Sequence, residues 1–187
     1  MKTMEVAMKP LASMPEFVNF MSSFAKTPVL GVIAGFLTTG IVQSSSATIG
    51  ILQALAGQGV VNISIALPIL FGDNIGTCVT ALLASIGTNI TARRAALAHL
   101  IFNVIGTIIF IIILPLVQII VANTSSDPVR QIANAHTLFN VTNTIIQLPF
   151  SFLLANLVTK FIPGQLEIIE HGVKYIDIRL LDTPSIA

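Results

Sequence analysis

Between Thr27 and Thr159 the chain carries five charged side chains: Asp73, Arg93, Arg94, Asp127 and Arg130. The uncharged runs between them are long enough to cross a hydrocarbon layer, which takes about 20 apolar residues. A soluble surface usually brings charged residues to about 25% of a chain. Here they are 9%, against 54% hydrophobic. The sequence therefore reads as an all-α membrane protein. Its formal net charge is +1 and no basic patch alternates with aromatic residues, which sets nucleic acid aside as a partner. The single cysteine, Cys78, lies in an apolar stretch without an intramolecular disulfide partner and reads as a small buried residue.

The first 26 residues lack the continuous apolar core of a signal peptide and read as an amphipathic lead-in. Within it, Phe17, Phe20, Met21 and Phe24 recur at helical spacing from Pro15 to Lys26, the pattern of a helix lying in the membrane interface. Pro28 to Val42 is apolar but short for a span, and Ala47 to Ala56 is shorter. Between them stands the polar run Gln43-Ser44-Ser45-Ser46. Two half-length arms joined at a polar tip predict a re-entrant helical hairpin over 28–57, because irregular backbone at membrane depth persists only where protein or a wet cavity covers it. Asn62 to Phe71 and Thr77 to Ile86 flank GDNIGT at 72–77, and the glycines there predict a broken helix over 62–87. Two full spans are expected at 95–122 and 131–159, with a connector over 161–187.

The two long spans share a cryptic duplication. AHLIFNVIGTII at 98–109 and AHTLFNVTNTII at 135–146 agree at eight of twelve positions, offset by 37. His99 with Asn103, and His136 with Asn140, fall four residues apart on one helical face, either as hydrogen-bonding groups between packed helices or as members of a transport path. Arg93 and Arg94 before the first span, and Lys160, Lys174 and Arg179 after the second, direct the 88–94 loop and the carboxyl tail to the cytoplasm and the 123–130 loop outside.

A backbone interrupted inside a membrane exposes helix ends, whose free amides attract anions and whose free carbonyls attract cations. Gln43, Ser44, Ser45, Ser46 and Thr48 add neutral donors and acceptors suited to an oxyanion together with a small hard cation. Asp73 is the only acidic side chain between Glu16 and Asp127. It either contributes to a cation site or caps the helix that begins near Asn74. Asn74, Thr77 and Thr80 offer further oxygens, and Gly72 and Gly76 allow close approach of backbone to an ion. A membrane serine hydrolase, with one of Ser44 to Ser46 as nucleophile and His99 as base, would need an activated serine, and the chain has no GxSxG elbow.

TTGIVQSSSATIGILQALAGQGV, then LPILFGDNIGTCVTALLASIGTNITARRAALAHLIFNVIG and AHTLFNVTNT, resemble the bacterial sodium-dependent phosphate cotransporter family, related to the animal type II carriers. The resemblance covers roughly residues 5 to 185. It implies a non-enzymatic, multi-pass protein of the bacterial plasma membrane that carries inorganic phosphate with sodium as the coupling ion and needs no other cofactor. Members contain two inverted repeats, each with its own QSSS and GxNIGT. This chain resembles the second, so the missing first repeat, or a second copy of the chain, is an expected partner. The tail is similar to the connector that leads toward a PhoU-like domain, and the chain then reads as a piece of a longer carrier. Carried over by motif, Gln43, Ser44, Ser45 and Ser46 would line the substrate and sodium sites, with Asn74, Gly76 and Thr77 beside them. Sodium would be held through Gln43, Ser45, Asn74 and Thr77. Cys78 departs from the threonine common in the family. A phosphate exporter and a non-transporting regulatory or scaffold subunit are the competing expectations.

Overall fold

A computed structural model describes residues 2–164, which form ten α-helices and one 3-10 turn, with no strand among the described residues. Helix α1 (Lys2–Ala12) leads into α2 (Pro15–Lys26), the predicted interfacial helix, which buries Met21 and Phe24 and leaves Phe20 exposed. Pro28 excludes helical backbone at Thr27, whose φ and ψ are −130° and 82°, and α3 (Pro28–Val42) departs at 117° from the direction of α2.

Helices α3 and α4 (Ser45–Gly57) form a hairpin whose turn is Gln43 and Ser44. Gln43 adopts left-handed backbone (φ 54°, ψ 29°), and its amide donates to the Thr39 carbonyl at 2.6 Å. Ser44 is extended and caps α4, accepting at Oγ from the Ala47 amide at 3.3 Å. The arm α3 has 15 residues, or about 22 Å at 1.5 Å per residue, short of a hydrocarbon core of about 30 Å.

Helix α5 (Ile63–Gly76) runs through the middle of the molecule and continues into α6 (Cys78–Ser85). The break predicted across GDNIGT shrinks to Thr77, whose backbone is still helical (φ −61°, ψ −26°), so Ile63–Ser85 makes one 23-residue span. Gly72 and Gly76 do not act as breakers because they are spent on packing. A methyl group on Gly72 would overlap the Val32 carbonyl, and one on Gly35 would overlap that of Ile69. Gly31 and Gly35 on α3 thus meet α5 at Pro68 and Ile69, and Gly72 and Gly76 on α5 meet α3 at Val32 and Phe36, through small-xxx-small spacings that bring the two main chains together. Gly31 lies against Pro68 and Gly40 against Val79, so the two helices run parallel.

The predicted span 95–122 begins earlier, at Ile90, because Asn89 caps α7 (Ile90–Ile112), its Oδ1 accepting from the Ala92 amide at 2.9 Å. It is interrupted at Ile113, ahead of Pro115, and resumes as α8 (Leu114–Ala122). Arg93 and Arg94 therefore sit on α7 itself. The predicted span 131–159 extends over Pro128–Phe161 as α9 (Pro128–Gln147), a 3-10 turn at Pro149 and α10 (Ser151–Phe161). Phe71, Phe110 and Phe139 meet with centroids 4.7 to 5.5 Å apart and join α5, α7 and α9 in the core.

The elements sort into two ends. Gln53 Nε2 donates to the Val129 carbonyl (3.3 Å), joining α4 to the start of α9. Arg94 donates through Nε to Ile162 O (3.1 Å) and through Nη2 to Gly164 O (3.0 Å), joining the start of α7 to the end of α10. Exposed Ile108, Ile112, Ile119, Ile145 and Phe152 face outward, as lipid contact requires, and the protein is a multi-pass α-helical membrane protein. From residue 165 onward the expected connector lies outside the described residues.

Candidate functional site

The glycine contacts between α3 and α5 decide where the polar groups fall. With the two backbones touching, Thr39 on α3 reaches Asp73 on α5, and its Oγ1 donates to Oδ1 at 2.5 Å. The hairpin brings Thr48 on α4 to the same place, its hydroxyl oxygen 2.8 Å from that of Thr39. Thr39, Thr48 and Asp73 are all buried. The second carboxylate oxygen of Asp73, Oδ2, is buried with no hydrogen-bond partner among the described residues. A buried carboxylate oxygen without a donor is costly, and a cation beside it would offset that cost. Among the described residues no three His, Cys, Asp or Glu side chains cluster as a metal site. A cation there would thus be shared between one carboxylate and neutral oxygens, the donor set of a weakly held hard ion.

The other predicted residues surround this centre unevenly. Gln43 and Ser46 are exposed at the tip, and Ser44 and Ser45 are half-buried. As the first residues of α4, Ser45 and Ser46 have amides with no acceptor inside the helix, so the tip presents free donors. Asn74 is buried and donates from Nδ2 to Leu70 O (2.8 Å), which leaves its Oδ1 available. Thr77 Oγ1 donates to Asn74 O (2.6 Å), and its own oxygen can still accept. Gly76 faces the Thr39 side chain and the Phe36 carbonyl, so α3 occupies the space that the sequence assigned to an approaching ion. Asp73 caps no helix; it lies inside α5.

His99, Asn103, His136 and Asn140 make no hydrogen bond to Asp73 among the described residues, though Asn103 reaches Cys78, whose Sγ lies 3.6 Å from Asn74 O. Asn103 Nδ2 donates to His99 O (3.1 Å) and to Cys78 Sγ (3.4 Å), and Asn140 Nδ2 donates to His136 O (2.9 Å). Both asparagines bond to the histidine carbonyl one turn back. Asn103 is buried, whereas His99 is exposed. Cys78 is buried as expected, with Sγ 3.5 Å from His99 O.

Thr39 is the residue that the sequence reading passed over. Its signal was available: Thr39 lies four residues before Gln43 and Thr48 four after Ser44. A hairpin turning at 43–44 must set them opposite each other.

The Na+/Pi-cotransporter family matches residues 1–148. "Uncharacterized protein YqeW" of Bacillus subtilis is 34% identical over 134 residues, 72% of this chain and 44% of that protein. "Putative inorganic phosphate export protein YjbB" of Salmonella typhimurium is 25% identical over 160 residues, 85% of this chain and 30% of the relative. Sodium-dependent phosphate transport protein 2A of Rattus norvegicus is 32% identical over 98 residues, 51% of this chain and 15% of the relative. The chain thus spans less than half the length of these relatives. No solved structure matches it. With the family model matching residues 1–148, most of its length, this chain belongs to the Na+/Pi-cotransporter family.

Proposed function

We propose that the chain supplies one repeat of a carrier that moves inorganic phosphate across the bacterial plasma membrane together with sodium. The observation that carries this reading is Asp73: one carboxylate oxygen held by Thr39, the other without a partner, beneath a tip of free amides and hydroxyls. In this reading the amides of Ser45 and Ser46 and the hydroxyls of Ser44 to Ser46 meet the anion. The side-chain oxygens of Gln43, Ser45, Asn74 and Thr77, with Asp73 nearby, meet the cation.

Neutral donors suit a carrier because each partner then binds weakly alone and firmly beside the other. A guanidinium in the site would hold phosphate too tightly for release. Moving one charge down about 100 mV supplies about 2.3 kcal/mol, so inward sodium flow can drive uphill anion uptake. Such a cycle needs no nucleophile and no enzymatic step.

The test uses the full-length carrier in proteoliposomes with labelled phosphate. Uptake is expected with sodium outside and not with choline, and Asp73→Asn should raise the sodium concentration needed for half-maximal uptake about tenfold or more, the scale of 1.4 kcal/mol. Equal uptake in sodium and choline would refute the coupling. The name of the relative YjbB favours a second reading, in which the same site serves export. Vesicles loaded with phosphate and losing it faster than they gain it under the same sodium gradient would favour that direction.

A further inference from the structure

The two adjacent arginines of α7 do different work. Arg94 is spent: its two hydrogen bonds fix Ile162 and Gly164 against the start of α7. Arg93 is exposed and has neither a hydrogen-bond nor an ion-pair partner among the described residues. It stands at the rim of a cavity of about 370 Å³ between the end of α6, the first turns of α7 and the end of α10. Leu82, Ile86, Leu97 and Ile162 line the apolar part, and Ile86 is 75% exposed. Ser85 also borders the cavity, but its hydroxyl proton is committed to Leu82 O at 2.7 Å, so Arg93 is the one cationic donor in the lining.

We propose that this cavity seats an anionic phospholipid, with the phosphate on Arg93 and an acyl chain along Leu82, Ile86, Leu97 and Ile162. Three features select that occupant. The cavity lies where the spans Ile63–Ser85 and Ile90–Ile112 end, which is the depth of the headgroup and acyl boundary. Its lining is divided as such a lipid is, with the Arg93 cation beside exposed Ile86 and half-buried Leu82, Leu97 and Ile162. The positive end of the 23-residue helix α7 adds to the attraction for a phosphodiester. Basic pockets between transmembrane helices suit acidic headgroups, and Arg presents a planar, bidentate fork to phosphate. The volume falls within the range of about 300–1,000 Å³ typical of small-ligand sites. Arg94 is a positioning residue for this seat, because it holds the Ile162 wall in place. The seat lies at the opposite end of α6 from the Asp73 centre and does not depend on what is transported.

The buried, single Cys78 supplies the readout, since a thiol-reactive dye labels it only as the protein unfolds. The purified full chain, stripped of lipid in detergent, is heated with phosphatidylglycerol, phosphatidylcholine or inorganic phosphate, and retained lipid is counted by native mass spectrometry. Phosphatidylglycerol should raise the unfolding midpoint and remain bound, and neither of the other two should. Arg93→Gln should weaken that retention about fivefold, one basic side chain's share at an anionic surface. Lys160→Gln removes an equal charge near the same end and should leave it nearly unchanged. Ile86→Ser should weaken the retention as well. Equal losses in the Arg93 and Lys160 variants would mean diffuse surface attraction and overturn the proposal. Protection by inorganic phosphate alone would make this a free-anion site, and equal retention of phosphatidylcholine would make it a purely apolar groove; either result overturns it too.

Discussion

The α3/α5 and α7/α9 interfaces both rest on glycine, and they use it differently. At the first, a glycine of each helix meets the main chain of the other: Gly35 the Ile69 carbonyl, Gly72 the Val32 carbonyl. At the second, the atoms nearest Gly106 of α7 belong to the side chain of Asn143 on α9. The duplicated segments give that second contact its form. Position 106 plus the offset of 37 is 143, so equivalent positions of the two copies touch, glycine in one and asparagine in the other. Each interface also buries one polar atom with no partner among the described residues, Asp73 Oδ2 in the first and Asn143 Nδ2 in the second. A main-chain contact cannot adjust, and it fixes Thr39 on Asp73. A side-chain contact moves by repacking, here of a buried Asn143 held by Gln147 Nε2. The carboxylate thus sits where two main chains touch, and that contact sets its position against Thr39.

The sharpest way to break this contrast is to add bulk at both places. Gly35→Val or Gly72→Val drives a side chain into carbonyl groups that cannot move without separating α3 from α5. The expected outcome is loss of the folded protein, read as native-state labelling of Cys78 and the absence of a monodisperse species in detergent. Such clashes exceed the 1–3 kcal/mol or so of ordinary core overpacking. If Gly35→Val kept Cys78 protected, the close approach would not be what positions Thr39. Thr39→Val comes next. It is nearly isosteric but removes the donor to Asp73 Oδ1, and a hydrogen bond to a charged group contributes about 1.5–3 kcal/mol. A lower unfolding midpoint with the fold retained is expected. Gly106→Ala should cost about 1–3 kcal/mol, less than the main-chain clashes, because the methyl displaces a side chain, although Asn143 is buried and accepts from Gln147 Nε2.

How much of this was legible follows from the same contrast. The hairpin could be read because Gln43 to Ser46 interrupt an apolar run that lipid would otherwise leave unbroken. The helix at 15–26 could be read because its aromatic residues recur at 3.6-residue spacing. The continuity of α5 into α6 could not. In water, two glycines around the tripeptide Asp73-Asn74-Ile75 signal a break. Within lipid every backbone group must bond inside its own helix, and a neighbour can fill the groove that glycine leaves. Whether Gly72 and Gly76 end a helix or pack one depends on the α3 main chain at Val32 and Phe36, about forty residues earlier, and no local pattern states that pairing. The same holds for Asp73. Its isolation in an apolar stretch marked it, but its partner Thr39 came into view only with the hairpin's symmetry.

The smallest expected effect separates the two copies of the duplication. Asn103 and Asn140 occupy equivalent positions and make the same bond to the carbonyl four residues back. Among the described residues, only Asn103 of the two also reaches another helix, at Cys78 Sγ on α6, whose backbone continues the Asp73 helix. Interhelical hydrogen bonds in membranes average about 0.6 kcal/mol, so Asn103→Ala should lower stability by that order plus the effect of a small cavity. Asn140→Ala should change it by less, since the lost bond lies within its own helix. Thiol labelling of Cys78 under native conditions gives the finer readout: Asn103→Ala should speed it severalfold, and Asn140→Ala should leave the rate alone. If both variants sped labelling equally, the two copies would act as one polar seam through the bundle. His99 and His136 would then have to be judged together with it, as a path and not as packing.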